Sequence, residues 1–99
     1  MDIAQIVGFD WGVGNARKNE EHGVSQTEAE QVFFNLPLIA PDAAHSREEP
    51  RYHALGCTDE QRLLHVTFTL RSESKLIRVI SARSMSRKER AIYESSQTS

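Results

Sequence analysis

Between Leu64 and Arg71 every second residue is apolar: Leu64, Val66, Phe68 and Leu70 alternate with His65, Thr67, Thr69 and Arg71. A strand sends successive side chains to opposite faces, whereas a helix gathers residues three and four apart, so this run demands a sheet with one face buried. The stretch from Leu76 to Ala82 contains Ile77, Val79 and Ile80, dense enough for an inner strand, and follows a turn at Ser72 to Ser74. Arg51 to Cys57 reads as another strand, ended by the turn Thr58-Asp59-Glu60-Gln61. Strands joined by such short turns pair antiparallel.

Helix signals flank this block. Ser25-Gln26-Thr27-Glu28 has capping-box spacing, with a hydroxyl and a carboxylate placed to satisfy the first helical N–H groups. Ala29, Val32 and Phe33 then recur at helical intervals and predict a helix over 26–35. Ser86-Arg87-Lys88-Glu89 repeats the spacing and predicts a last helix over 87–94, with Ile92 as its apolar contact and 95–99 as a disordered tail. Ile3 to Trp11 reads as a first strand interrupted by Gly8, and 12–22 as a weak helix stopped by Gly23. Pro37 and Pro41 bound a short extended piece, Leu38 to Ala40, and 42–50 form a polar loop. The order is β-α-α-β-β-β-β-α, an α+β domain over 1–94 with helices packed on a mainly antiparallel sheet. Ninety-nine residues leave no room for a second core.

Charge is distributed unevenly. Residues 1–61 hold 4 Lys/Arg against 11 Asp/Glu, while 62–99 hold 8 against 3, within a net charge of −2. A basic half of this kind suits a polyanion, and the acidic half suits a basic protein partner. The single cysteine, Cys57, excludes an internal disulfide framework and fits a reducing compartment as a small apolar strand residue. No basic leader followed by an apolar stretch opens the chain, and no run approaches the roughly 18 apolar residues of a membrane span. The expected location is the cytoplasm, with no membrane partner. Gly8, Gly12 and Gly14 fit neither phosphate-loop pattern, so nucleotide binding is rejected. His22, His45, His53 and His65 lack metal-ligand spacing, and neither a metal nor another cofactor is expected. His53 and His65 read as packed or surface strand residues.

The basic half carries the constellation with the most chemistry. Arg71, Arg78 and Arg83 lie on or beside adjacent strands, with Arg87, Lys88 and Arg90 in the closing helix as further phosphate-binding candidates. Guanidinium forks hold phosphate oxygens bidentately. Arg78 sits among Ile77, Val79 and Ile80, where a cation needs a partner: either an anionic ligand or an internal carboxylate such as Glu49. His22, just before a helix-ending glycine, is either a phosphate-facing imidazolium or a plain helix-end cation. Tyr93 is either a proton-transfer or stacking group, or a core tyrosine.

The run Arg78-Val79-Ile80-Ser81-Ala82-Arg83, followed by Glu89-Arg90-x-x-Tyr93, resembles the C-terminal signature of the BrnT family of type II toxins. Phe9-Asp10-Trp11, Asn15, Lys18-Asn19 and His22-Gly23-Val24 are similar to its N-terminal block, and Glu28-Ala29-Glu30-x-Val32-Phe33 to its second helix. His45-Ser46-x-x-Glu49-x-Arg51 with Gly56, and Phe68-Thr69-x-Arg71, resemble its middle blocks, so the likeness spans about 7–94. It implies a RelE-like fold and a ribonuclease that stops translation through metal-independent attack of the ribose 2′-hydroxyl on its own phosphate. It also implies a cognate antitoxin, BrnA-like and DNA-binding, in a toxin–antitoxin hetero-oligomer. Under it Arg78 and Arg83 neutralise the scissile phosphate, Lys18 or His22 assists proton transfer, Glu49 and Arg51 orient these groups or join the relay, and Tyr93 sits at the rim. Three departures stand out: Gly12 replaces an acidic residue, Glu21 replaces a lysine, and the Asn19–His22 interval is one residue short. Two further readings therefore stand beside the enzyme: a weakened or inactive module that docks antitoxin or RNA without cutting, and a structural regulator acting through its acidic half.

Overall fold

The computed structural model describes residues 5–12, 22–45 and 49–98. Its elements are β1 (Gly8–Phe9), α1 (Gln26–Phe34), β2 (Leu38–Pro41), a 3-10 turn (Ala43–His45), β3 (Arg51–Cys57), β4 (Leu63–Arg71), β5 (Leu76–Ser84) and α2 (Arg87–Gln97). They build a five-stranded sheet in the order β1-β5-β4-β3-β2, antiparallel throughout except for the parallel pairing of β1 with β5. The weak helix expected over 12–22 falls almost wholly outside the described residues.

The alternation in β4 separates two faces. Leu64, Val66 and Phe68 are fully buried on the inner face, joined there by Ala54 of β3 and by Ile77, Val79 and Ala82 of β5. Helix α1 covers this face with Ala29, Val32 and Phe33. Phe33 lies between Phe9 and Phe68, with ring centroids 5.8 and 5.0 Å away, and Tyr52 stacks on Phe68 at 5.4 Å. Helix and sheet approach so closely that a Cβ on Gly56 would stand 2.9 Å from Val32 Cγ1. Only the absence of a side chain permits that contact. Both capping boxes form: Ser25 with Glu28, and Ser86 with Glu89.

Helix α2 lies against the outer face, where Tyr93 and Met85 pack on Leu55 with Leu38 and Leu63 around them. The apolar contact of this helix is Tyr93, 6% exposed, rather than Ile92, which is 47% exposed. The helix also runs through Gln97, past the point where the Ser/Gln/Thr composition suggests a loose tail. Ser96 helps to hold it, its hydroxyl donating to the Tyr93 carbonyl at 2.6 Å. The first strand is shorter than its apolar sequence suggests. The last hydrogen bond to β5 is from the Asp10 N–H to the Ile77 carbonyl at 2.8 Å, and Trp11 Nε1 then donates to Glu30 Oε2 on α1 at 2.7 Å.

Candidate active site

Arg78 and Arg83 are five residues apart, an odd interval that would put them on opposite faces of a regular strand. A β-bulge prevents this. Phe68 lies opposite Val79 while Thr67 lies opposite Ser81, leaving Ile80 as the extra residue. The inward positions therefore shift from Ile77 and Val79 to Ala82, and both arginines face outward. Arg83 is the cross-strand neighbour of His65, and Arg78 of Thr69. On the next strand Arg51 lies beside Thr69 and His53 beside Thr67. The outer face thus carries rows of Arg, His and Thr across three strands.

At its centre a chain of polar contacts crosses the sheet. Asp42, 9% exposed where β2 ends, lies 3.1 Å from His53 Nε2 and 3.1 Å from His45 Nδ1. Burial works to raise the Asp42 pKa, but the His45 hydrogen bond and the two imidazoles prevail and hold it below the usual carboxylate range. His53 Nδ1 lies 2.8 Å from His65 Nε2 and 3.1 Å from Thr67 Oγ1. The partners assign the tautomers. An ionised carboxylate only accepts, so His53 donates to it from Nε2; when that ring is neutral its Nδ1 accepts, and His65 donates from Nε2. That leaves His65 Nδ1 as the uncommitted ring nitrogen of the pair, 3.7 Å from Glu89 Oε2. Burial lowers the His65 pKa, opposed by the Glu89 charge and aided by Arg83, so the ring is neutral near pH 7. A neutral imidazole whose free nitrogen faces a carboxylate can take up a proton that the carboxylate then stabilises.

Glu89 reaches this point because it is the third residue of α2, where it also accepts from the Ser86 N–H at 2.8 Å. Arg83 clasps it bidentately, Nη1 to Oε1 at 2.8 Å and Nη2 to Oε2 at 2.9 Å. The Arg83 hydrogen bonds, against a smaller effect of burial, push the Glu89 carboxyl down to about 2, with the Ser86 N–H and the His65 and Arg83 charges assisting. A groove of about 410 Å³ opens beside His53, His65, Arg83 and Glu89.

Arg78 and Arg71 are held more loosely. Arg78 Nη1 is 3.5 Å from Asp10 Oδ2, so the carboxylate facing it is Asp10 and not Glu49. Glu49 faces Arg71 instead, at 3.4 Å. Both pairs are a third or more exposed, and exposed pairs at such distances exchange partners at little cost. Arg51 is half-buried at the start of β3. Arg87, Lys88 and Arg90 are exposed on α2. Tyr93, expected at the rim, is buried beneath the same helix, where burial and the neighbouring Cys57 thiol raise its pKa. His22 is exposed in the turn before α1, the helix on the opposite face, and among the described residues nothing joins it to the histidine pair. Lys18 lies outside the described residues.

Asp42, His53, His65 and Glu89 were not singled out from the sequence. One signal was available: His53 and His65 occupy the polar positions of two alternating strands, which puts both on one face. Their adjacency needed the register between β3 and β4, which sequence spacing leaves open.

The comparisons with known proteins bear on this geometry. The sequence model of the family described as "Ribonuclease toxin, BrnT, of type II toxin-antitoxin system" matches residues 11–89. The chain belongs to the BrnT family. The matched span includes Asp42, His53, His65, Arg83 and Glu89 and ends before Arg90 and Tyr93. The fold is similar to the 1.1 Å crystal structure of the ribonuclease toxin BrnT of Brucella abortus, with a TM-score of 0.63 and 23% identity over 82% of this chain and 99% of that one. At that identity the likeness speaks to the BrnT fold alone. A search of curated proteins found no match. A BrnT-family chain belongs to a ribonuclease-toxin lineage of toxin–antitoxin systems, which implies an antitoxin as partner.

Proposed function

We propose that this chain is an endoribonuclease toxin that cuts RNA on the outer face of its sheet, inhibits translation in the cytoplasm and is neutralised by a cognate antitoxin. The antitoxin is BrnA-like and DNA-binding, and the two form a hetero-oligomer. The observation that carries the reading is the meeting of Arg83 and the His53–His65 pair in one groove, in a chain of a ribonuclease-toxin family.

The reaction is attack of a ribose 2′-hydroxyl on its own phosphate. His65 Nδ1 takes the hydroxyl proton, and Glu89 stabilises the imidazolium. The 2′-oxygen–phosphorus bond forms, the bond to the 5′-oxygen breaks, and that oxygen leaves with a proton from Lys18 or from water. Arg83 turns its fork from Glu89 to the scissile phosphate, where charge develops. Arg78 lies two rows along the strands, roughly 13 Å away at Cα. It therefore serves a neighbouring phosphate together with Arg71, while Arg51 and Glu49 orient the strand. Arg87, Lys88 and Arg90 extend the cationic surface. His22 and Tyr93 receive no role in this scheme. The proton acceptor is a side chain and the proton donor a side chain or water, so the proposed reaction is metal-independent.

A second reading, a module that binds antitoxin or RNA without cutting, is favoured by Glu21 and Gly12 and by the carboxylates that face Arg71, Arg78 and Arg83. Expression of the chain with and without its antitoxin separates the two. Growth arrest with fragmented RNA, relieved by Arg83→Ala in a folded protein, is the result the enzyme predicts. Intact RNA at high expression establishes the binding module.

A further inference from the structure

The groove beside the histidines has two unlike walls. His53, His65, Arg83 and the Glu89 carboxylate that Arg83 clasps form a polar wall, while Leu38 and Ala40 of β2, Leu55 of β3 and Ile92 of α2 bring an apolar surface. Ile92 stands 47% exposed at this groove, on a helix whose apolar anchor is the buried Tyr93. A large aliphatic group at the lip of a charged groove has no work in the core. A nucleotide presents the matching pair of surfaces: a base with flat apolar faces, joined to an anionic phosphate. Another cavity, about 220 Å³ beside β1, is lined by residues such as Phe33, Phe34 and Val7 and offers no polar side chain to meet a phosphate.

We propose that the groove is a nucleobase subsite, in which one unpaired base of single-stranded RNA lies against Ile92 and Leu38 while its phosphate meets Arg83. This rests on the ribonuclease reading and adds the substrate class. The volume of about 410 Å³ falls at the small end of the roughly 300–1,000 Å³ range in which pockets hold small ligands. It takes a single nucleotide. In an A-form duplex the bases are stacked and paired, and a base enters such a concavity only when splayed out from a loop, bulge or unpaired strand. The toxin therefore cuts at unpaired positions and discriminates by how well a base fills the space between Ile92 and the sheet.

Binding can be measured apart from cutting, with a short fluorescent single-stranded RNA carrying 2′-O-methyl groups so that no attack is possible. Wild type, Ile92→Ala and Ile92→Phe are titrated with this RNA, with the same strand lacking one base, and with a hairpin stem of equal length. Stacking on one base contributes roughly a five- to hundredfold factor, and an aliphatic platform belongs at the low end. Ile92→Ala is expected to weaken binding of the single strand about fivefold at unchanged melting temperature, and Ile92→Phe to restore it. The strand lacking a base is expected to lose about the same factor on wild type and nothing further on Ile92→Ala. The stem is expected to bind more weakly than the open strand. Equal affinity of wild type and Ile92→Ala for the intact strand overturns the subsite while leaving the ribonuclease reading in place. No affinity of wild type for any RNA overturns both. Loss of antitoxin binding in Ile92→Ala, with RNA affinity unchanged, gives the groove to a protein partner and overturns the proposal.

Discussion

At the residue scale the ionisation of His65 and Glu89 is set by their surroundings. The folded Glu89 pKa is depressed to about 2, so its stabilising effect is complete above the unfolded value of 4.5 and is lost as pH falls toward 2. Burial lowers the folded His65 pKa below 6.5, so the unfolded chain binds the proton first and stability begins to fall as pH drops through 6.5. Both act in one direction. Melting temperature should decline in two stages on acidification. His65→Gln should remove the stage that begins near pH 6.5, and Arg83→Ala should flatten the one below 4.5. Unchanged profiles in both variants contradict these assignments. In RNA cleavage, losing the proton acceptor by His65→Ala should reduce the rate by about 10²–10⁴, the usual span for general acid–base groups.

At the element scale, two devices hold the site in shape. The Ser86–Glu89 capping box starts α2 and at the same time aims Glu89 at Arg83. Ser86→Ala should cost about 1 kcal/mol. For a domain of this size that is a fall of roughly 4–8 °C in melting temperature, measurable by calorimetry. Gly56 lets β3 approach α1, and an added Cβ meets Val32 Cγ1 at 2.9 Å and Pro37 Cβ at 3.3 Å. Gly56→Ala should destabilise by about 1–3 kcal/mol through overpacking, and a neutral effect would show that helix and strand have room to separate. The helix starts and the three long strands were legible because caps and alternation are local signals. The bulge at Ile80 was not, because it arises from pairing with β4 rather than from any residue in β5. Without it, Arg78 and Arg83 have opposite parity, and their presence on one face does not follow from the sequence.

At the scale of the whole molecule, the sheet divides labour between its faces. One is closed by α1 over the main core, and the other is only partly covered by α2 and keeps its arginines and histidines exposed or half-buried. The uneven charge along the chain is the linear trace of this division, since β4, β5 and α2 together supply six of the twelve Lys and Arg residues. Three arginine–phosphate contacts, from Arg71, Arg78 and Arg83, should give single-stranded RNA binding a log–log salt slope of about −2. Arg78→Ala should reduce that slope by about 0.7 without changing which sequences are bound. The contact between the two histidines stayed hidden from the sequence for a simple reason. His53 and His65 are separated by a turn whose length leaves the β3–β4 register undetermined, and only the register brings their rings to 4.8 Å.

The chemistry of the cut ends tests the central claim most directly. Purified toxin incubated with single-stranded RNA in EDTA should leave 2′,3′-cyclic phosphate and 5′-hydroxyl termini, and should lose at least a hundredfold in rate in folded His65→Ala and Arg83→Ala proteins. Termini bearing 5′-phosphate, or full rates in both variants, would contradict a 2′-hydroxyl reaction run by the histidine–arginine groove.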